Sequence, residues 1–385
     1  MRALLLVFSL SLAATPALTA ESVTVPQLQQ KLAAASPQTD AELASAIGQM
    51  QLTQRLSPPI FQSLSAQLPG DQSRQALLAV ADESQFLAPP PSQALPMLRP
   101  TPAVQAHILS LARHYVAGTL PMLPDFIATR QILRFQSNFL ISAFNSDDPR
   151  PHSPFQAIQR SVDEVRYRDG QEATTDDIDQ GGAATPKTGT LNTSGTFGAI
   201  LGTVFGDSAH ARLRWLRWEQ GPLGPLAVFR FQMPQKLSHY QINYCCLRPS
   251  TAFTHVDKKT GRFHNFAGYR AELAIDPDTG AIFRLVIESE LPPWLPLRRA
   301  SVVVEYGQVA IAGKTYICPI RSISISSAPI FVKVEVLESS RPNWLVLTTM
   351  LTDTQFQGYR RFRGDMRILT GVVPADPSAT PQPPQ

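Results

Sequence analysis

Few residues of this sequence have the types and spacing that catalysis or metal binding requires. His255 and His264 flank Asp257, but their separation of nine residues matches no compact metal-ligand geometry. The acidic run Asp176–Asp179 precedes two glycines, yet it lacks the oxygen ligand at loop position five and the closing glutamate of a calcium loop. The HExxH, GxSxG, Walker and GxGxxG patterns are also missing. The sequence therefore predicts no catalytic residue, no metal site and no cofactor.

Aromatic side chains concentrate in consecutive predicted strands and could bind a hydrophobic ligand. On neighbouring antiparallel strands such side chains meet across the strand pairs and can line a concave apolar face. That face would be a groove for an acyl chain or a lipidated partner, and the alternative is an ordinary sheet core. The candidate ligand-binding residues are Trp215, Phe229, Phe231, Tyr240 and Tyr244.

The chain has three cysteines, Cys245, Cys246 and Cys318, which allow one disulfide and one free thiol in an oxidising compartment. The alternating apolar run that begins at Tyr240 includes Cys246, so a disulfide between Cys246 and Cys318 is predicted if their strands are neighbours. Three buried thiols are the alternative. A zinc or nucleophilic role is disfavoured, because there is no CxxC spacing and no histidine nearby in the sequence.

The elements that would position these residues begin with short amphipathic helices. Between residues 21 and 88 the apolar residues follow helical spacing, and Thr39 and Ser57 supply N-terminal capping signals. Such short helices are marginal individually, so we expect them to pack on one another. Residues 89–102 are rich in proline and are predicted to form a semi-rigid linker.

Beyond this linker, one helix ending near Gly118 precedes a long series of strands. From about Phe126 the apolar period changes to two, and Asp276–Gly280 is a strong turn signal between two strands. Helical spacing returns once, over Phe197–Phe205. Residues 103–370 are therefore predicted to form a helix plus an antiparallel sheet. The fold class is α+β: a small N-terminal helical region followed by a large curved antiparallel β-sheet, a half-barrel or sandwich, with one inserted helix.

Both ends of the sequence are interpreted as segments outside the folded body. Residues 1–20 contain an arginine, an apolar stretch and small residues, as a secretory signal peptide does, with an uncleaved anchor as the alternative. Residues 371–385 are rich in proline and are predicted to be disordered. We therefore expect an exported protein, periplasmic or extracellular, with no transmembrane segment in the mature chain. The excess of 34 Lys+Arg over 30 Asp+Glu is too small for a dedicated nucleic-acid binder.

Several sequence blocks carry a family resemblance: LPDFIATR at 123–130, GYRAELAIDPDTGAIFRL at 268–285 and FQGYRRF at 356–362. They resemble a group of uncharacterised exported bacterial proteins, in which the first block usually reads LPNF followed by x-C. This chain has Asp125 and Ala128 at the Asn and Cys positions. Any disulfide that the group builds from that cysteine therefore cannot form here.

The hairpin series that ends in the YRRF strand is distantly similar to the lipoprotein-carrier fold of the LolA, LolB and RseB type. This similarity implies a curved antiparallel sheet partly covered by helices, with an apolar concave face that binds acyl chains. It also implies that the helix over Phe197–Phe205 acts as a lid. The similarity implies no catalytic residues.

These patterns favour a non-catalytic exported protein that binds a hydrophobic or lipidated ligand. One alternative is a structural or protein-interaction module of the cell envelope, in which the N-terminal helices dock on an envelope protein and no small ligand is bound. A hydrolase is the remaining alternative, because missing motifs argue only weakly against catalysis.

Overall fold

The computed structural model describes residues 20–34, 39–141, 153–174, 189–191, 196–209, 211, 213–247, 256–257, 259–332 and 344–361. His255, the acidic run Asp176–Asp179, residues 1–19 of the predicted signal peptide and the predicted tail 371–385 lie outside this part of the chain. The predicted α+β architecture is confirmed, because a small helical region precedes a large, open antiparallel sheet of ten strands.

The N-terminal region consists of four helices and two short parallel strands: β1 (Glu21–Val23), α1 (Val25–Ala34), α2 (Asp40–Gly48), β2 (Met50–Leu52), α3 (Pro58–Gln67) and α4 (Asp71–Glu83). Thr39 starts α2 through a capping box with Glu42, as its position predicts. The Asp40 carboxylate accepts hydrogen bonds from the backbone N–H groups of Gln72 and Ser73, so it caps the neighbouring helix α4. Buried aliphatic side chains give this region an apolar core of its own.

The remaining elements build a helix-covered sheet. Two helices, α5 (Pro102–Gly118) and α6 (Ala199–Ser208), lie among the strands. A small sheet has the order β10-β9-β6, with bounds β6 (Thr190–Leu191), β9 (Gln241–Cys245) and β10 (Phe263–Phe266). The large sheet has the order β5-β4-β3-β15-β14-β13-β12-β11-β8-β7. Its strands are β3 (Phe126–Ile141), β4 (Gln156–Arg168), β5 (Gln171–Thr174), β7 (Arg214–Gln220), β8 (Pro225–Met233), β11 (Gly268–Ile275), β12 (Ile282–Glu290), β13 (Arg299–Ile311), β14 (Lys314–Val332) and β15 (Trp344–Arg361).

The alternation along each strand divides the large sheet into two faces. The inner face packs against α5, α6 and the small sheet, and it carries apolar residues such as Phe229 and Leu273. The outer face packs against the N-terminal region, where Ala79 of α4 lies against Phe135 and Leu351. The predicted inserted helix is therefore present as α6, and it covers the inner face.

The predicted turn between β11 and β12 is confirmed. The Asp276 carboxylate accepts hydrogen bonds from the backbone N–H groups of Asp278 (3.0 Å) and Thr279 (2.8 Å). Gly280 has a φ of +75°, and a Cβ atom there would overlap the backbone of Leu111 in α5. Glycine is required at this position for both reasons, because only it accepts the conformation easily and leaves room for the helix.

The proline-rich segment over 89–101 runs along the edge strand β7. Ala94 forms an antiparallel bridge with Glu219, and the indole Nε1 of Trp218 donates a hydrogen bond to the carbonyl of Leu98 at 2.9 Å. A short 3-10 turn, Pro91–Gln93, lies within it. The segment predicted as a linker is thus attached to the sheet, and it forms one side of the cleft described below.

Candidate functional site

The aromatic residues predicted to bind a ligand lie in the core of the inner face. Phe229 is fully buried, and its ring makes an edge-to-face contact with the half-buried Trp215 at a centroid distance of 5.5 Å. Phe231 contacts Tyr269 in the same way at 5.7 Å. Tyr240, on the segment that leads into β9, packs on Tyr269 at 5.4 Å. This packing fits the core alternative, and ligand binding by these residues stays a prediction.

Tyr244 completes the set of predicted aromatic residues. It lies on β9 of the small sheet and is buried against the inner face. Burial raises the pKa of Tyr244 to about 12, because the phenolate would lose its hydration. The small sheet therefore covers the inner face, and its Tyr244 and Phe263 side chains are buried in the core.

The predicted disulfide between Cys246 and Cys318 is absent, and Cys245 is joined to Cys246 instead. Cys318 lies on β14 and its thiol is buried and free; burial raises its pKa to about 12. The reason is topological. Cys246 follows β9 in the small sheet, whereas β14 pairs with β13 and β15 in the large sheet, so the two strands are not neighbours.

A buried carboxylate ties the covering elements to the sheet. Asp207, at the end of α6, accepts a hydrogen bond from the Tyr269 hydroxyl at 2.8 Å and lies 2.6 Å from the Nδ1 of His239. It also accepts from the backbone N–H of His239. Because the carboxylate is fully buried, these bonds are needed to compensate its lost hydration. They hold α6 on the inner face.

The outer face carries a row of alternating charges that crosses seven neighbouring strands, from β7 to β15. Three pairs of neighbours in the row lie opposite each other in the strand register: Arg230 with Glu272, and Glu305 with both Arg284 and Arg321. We call this set the charge row: Arg217, Glu219, Arg230, Glu272, Arg284, Glu305, Arg321 and Asp353. Opposite charges placed directly across strands stabilise the pairing.

The N-terminal region supplies partners to the charge row. Arg55 forms an ion pair with Glu219, and Asp82 of α4 forms one with Arg321. The Arg321 Nε also donates to Asp353 at 2.7 Å. These contacts tie the N-terminal region to the sheet through groups that are largely removed from water, so the two parts are held in a defined arrangement.

A cleft of about 840 Å³ lies between the N-terminal region and the outer face of the sheet, next to part of the charge row. Its floor is the outer face of the sheet, and its walls are the start of α3 and the proline-rich segment. Most of the lining is apolar: Ile60, Leu95, Leu226, Ala274, Phe283 and Ile320, with Pro58, Pro59, Pro89, Pro96 and Pro222. The polar part of the lining includes four charged side chains, those of Arg55, Glu219, Arg284 and Glu305.

The charged groups of the cleft differ in how well they are paired. Burial alone would raise the pKa of Glu219, but the charges of Arg55, Arg217 and Arg284 outweigh it and lower that pKa. Arg284 donates from Nη2 to the carbonyl of Gln85, and it forms no ion pair with a carboxylate among the described residues. Burial, reinforced by the charge of Arg55, lowers the pKa of Arg284 to about 10. The charges of Glu219, Glu305 and Glu272 oppose this shift, but Arg284, unlike Arg55, has no direct ion pair among the described residues.

Glu272 should make stability depend on pH. Burial would raise its pKa, but the hydrogen bond from Arg230 and the charges of Arg217, Arg230 and Arg284 hold it below the ordinary value of 4.5. A lowered carboxylate pKa stabilises the fold above the unfolded pKa, and this contribution is lost as the pH falls through the folded pKa. We expect Glu272→Gln to lower the free energy of unfolding by about 2 kcal/mol at pH 7.

The loss of unfolding free energy caused by Glu272→Gln should become progressively smaller as the pH falls below 4.5. Urea unfolding of both proteins at pH 7 and at successively lower pH measures this difference. A cost that is independent of pH would show that Glu272 contributes through packing alone.

The residues of the cleft were not identified from the sequence, although one signal was present. A charged residue stands inside strands that are otherwise strongly apolar, such as Arg284 in IFRLVI and Glu305 in SVVVEY. Burying a charge at such a position is costly unless the charge has partners, so the residue indicates that polar or charged groups lie next to it on the outer face. Arg55 and Gln85 had no such signal, because Arg55 lies in the connection between β2 and α3 and Gln85 lies in the short 3-10 turn that follows α4.

Within the described residues, no group of three or more His, Cys, Asp or Glu side chains could hold a metal ion. None of the described helices has both the length and the apolar character that crossing a bilayer requires. The chain matches no protein-family model, and no curated protein or solved structure is significantly similar to it. A function must therefore be inferred from the cleft itself.

Proposed function

We propose that the protein is a non-catalytic binding protein that holds a hydrophobic or lipidated ligand in the cleft between its N-terminal region and its sheet. The cleft itself supports this proposal most directly. Its volume of about 840 Å³ falls in the range of roughly 300–1,000 Å³ that is typical of small-molecule sites. Its lining is mostly apolar with a few polar groups, which is also typical of such sites.

The proposal keeps the ligand class predicted from the sequence and changes its position. The lipoprotein-carrier resemblance implies a site on the inner face, but there the aromatic side chains pack on one another under α6 and the small sheet. The outer face has the open volume instead. Export to the periplasm or the cell exterior stays a prediction, and an envelope location would bring the cleft close to lipids.

A neutral dye tests the proposal without assuming any charge on the ligand. Nile red should bind the protein saturably with a stoichiometry of one, measured by fluorescence titration. Ile320→Trp should weaken this binding, because Ile320 lies at the cleft, is 41% exposed and can be enlarged without repacking the core. Ile158→Trp is the matched control, because Ile158 is 50% exposed on β4, outside the cleft.

Equal binding by the two tryptophan variants would place the dye elsewhere on the protein. No saturable binding by the wild-type protein would remove the proposal, and it would favour the interaction module of the cell envelope. Native mass spectrometry of the purified protein, followed by extraction of lipid from the same sample, would identify a ligand retained from the cell.

A further inference from the structure

We propose that the ligand of the cleft carries one anionic group, a carboxylate or a phosphate, that binds to the guanidinium groups of Arg284 and Arg55. This inference rests on the proposed function of the cleft. It goes beyond that function because it defines the polar end of the ligand and the residues that select it.

The hydrogen-bonding groups of the cleft support this inference. Arg55 donates to Glu219 through Nη2, and its buried Nη1 has no partner. Arg284 donates to the carbonyl of Gln85 through Nη2, and its buried Nε has no partner. Among the described residues that line the cleft, these are the buried side-chain groups without a hydrogen bond. Both are donors that no acceptor of the cleft reaches, including the carboxylate of Glu305, so a ligand could supply the acceptor.

The charges at the cleft favour an acceptor that is negative. Glu219 is already paired with Arg55 and with Arg217, at 2.7 Å from the Arg217 Nε. Glu305 lies opposite Arg284 in the strand register but forms no ion pair with it. Arg55 and Arg284 also repel each other, which contributes to the lowered pKa of Arg284. An anion between the two guanidinium groups would replace this repulsion with two charge-assisted hydrogen bonds.

The rest of the cleft would bind the apolar part of the same molecule. Phe283 precedes Arg284 on β12, and Leu226 and Ala274 lie on neighbouring strands of the same outer face. A few charged side chains and a lining that is otherwise mostly apolar are the features expected for binding an anionic amphiphile.

Four amphiphiles with the same alkyl chain separate the contribution of the head group from that of the chain. The probes are dodecanoate, dodecyl phosphate, dodecanol and dodecyltrimethylammonium, each kept below its critical micelle concentration and measured by competition with Nile red. We expect the two anions to bind at least about tenfold more tightly than the alcohol, and the cation to bind most weakly. The comparison of the two anions shows whether the site prefers a carboxylate or a phosphate.

Three single variants test the residues. Arg284→Gln, which keeps a donor for Gln85, should weaken anion binding by about 10- to 100-fold and leave dodecanol binding unchanged. Glu305→Gln removes a negative charge beside Arg284 and should strengthen anion binding. Arg230→Gln is the matched control: Arg230 belongs to the same charge row but lies outside the cleft lining, so its loss should change anion binding much less. Circular dichroism establishes that each variant is folded.

The possible results separate this inference from the proposed function. Equal binding of all four amphiphiles would overturn the inference and leave the cleft as a site for neutral apolar ligands. Tighter binding of the cation, lost in Glu305→Gln, would overturn it by identifying Glu305 as the group that pairs with the ligand. If neither Nile red nor any amphiphile binds, the proposed function fails, and the inference fails with it.

Discussion

Replacing Arg321 with methionine is expected to lower the free energy of unfolding by about 3–5 kcal/mol at pH 7, as urea unfolding will measure. The Arg321 guanidinium joins Asp82 of the N-terminal region to Asp353 of the sheet, and both carboxylates are almost completely buried. Methionine has a similar volume, so the main loss is electrostatic. The variant would leave two carboxylates near each other without a counter-charge, which is far more costly than the loss of an exposed ion pair.

The loss of unfolding free energy caused by Arg321→Met should depend on pH. Burial already raises the pKa of Asp82 well above its ordinary value of 3.8, and the charge of Asp353 adds to this effect. A raised carboxylate pKa contributes stability at low pH, and this contribution is lost as the pH rises through the folded pKa. Without Arg321 the pKa of Asp82 rises further. The substitution should therefore cost less at pH 4 than at pH 7.

Arg360→Met is the matched control for this experiment. Arg360 pairs with Glu164 on the surface, where the side chains are 52% and 42% exposed, so its loss should cost no more than about 1 kcal/mol. A loss of less than about 1 kcal/mol in Arg321→Met would show that the ion pairs between the N-terminal region and the sheet contribute little to stability.

Replacing Phe229 with alanine should also lower the free energy of unfolding by about 3–5 kcal/mol. The side chain is fully buried on the inner face, and its ring contacts Trp215, so the substitution leaves a cavity in the core. Ligand binding to the folded variant should be unchanged, because the cleft lies on the opposite face of the sheet. Urea unfolding measures the first effect, and Nile red titration at low temperature measures the second.

Trp294→Ala is the control for aromatic truncation, because Trp294 is 74% exposed and its removal should change stability by no more than about 0.5 kcal/mol. The opposite pattern for Phe229→Ala, with stability retained and ligand binding lost, would contradict the core assignment. It would move the ligand site to the inner face, where the sequence predicted it.

The parts of the fold that could be predicted are those whose sequence signals lie within a few residues of one another. Thr39 lies three residues before Glu42, so the start of α2 is visible in the sequence as a capping box. Asp276–Gly280 contains all the residues of its turn. The alternation in β8 and β11 assigns each side chain to one of two faces, because successive residues in a strand point in opposite directions.

The elements that cover each face of the large sheet could not be predicted in this way. The alternation places Phe229 and Phe231 on one side of the sheet, but it contains nothing about α6 and the small sheet that bury them. An open groove and a closed core have the same sequence pattern, so the candidate ligand site could not be distinguished from the core. The predicted pairing of Cys246 with Cys318 was wrong for a related reason. The alternation of apolar residues shows which face of a strand a cysteine lies on, but it does not determine which strands are neighbours.

The helical region, the antiparallel strands, the turn between β11 and β12 and the two faces of the sheet could therefore be predicted, because these features depend on residues a few positions apart. The cleft and its charges depend on contacts between distant parts of the chain. Arg55 meets Glu219 across 164 residues of chain, and Asp82 meets Arg321 across 239. Contacts at such separations depend on how the N-terminal region docks on the sheet, and no local spacing in the sequence records that arrangement.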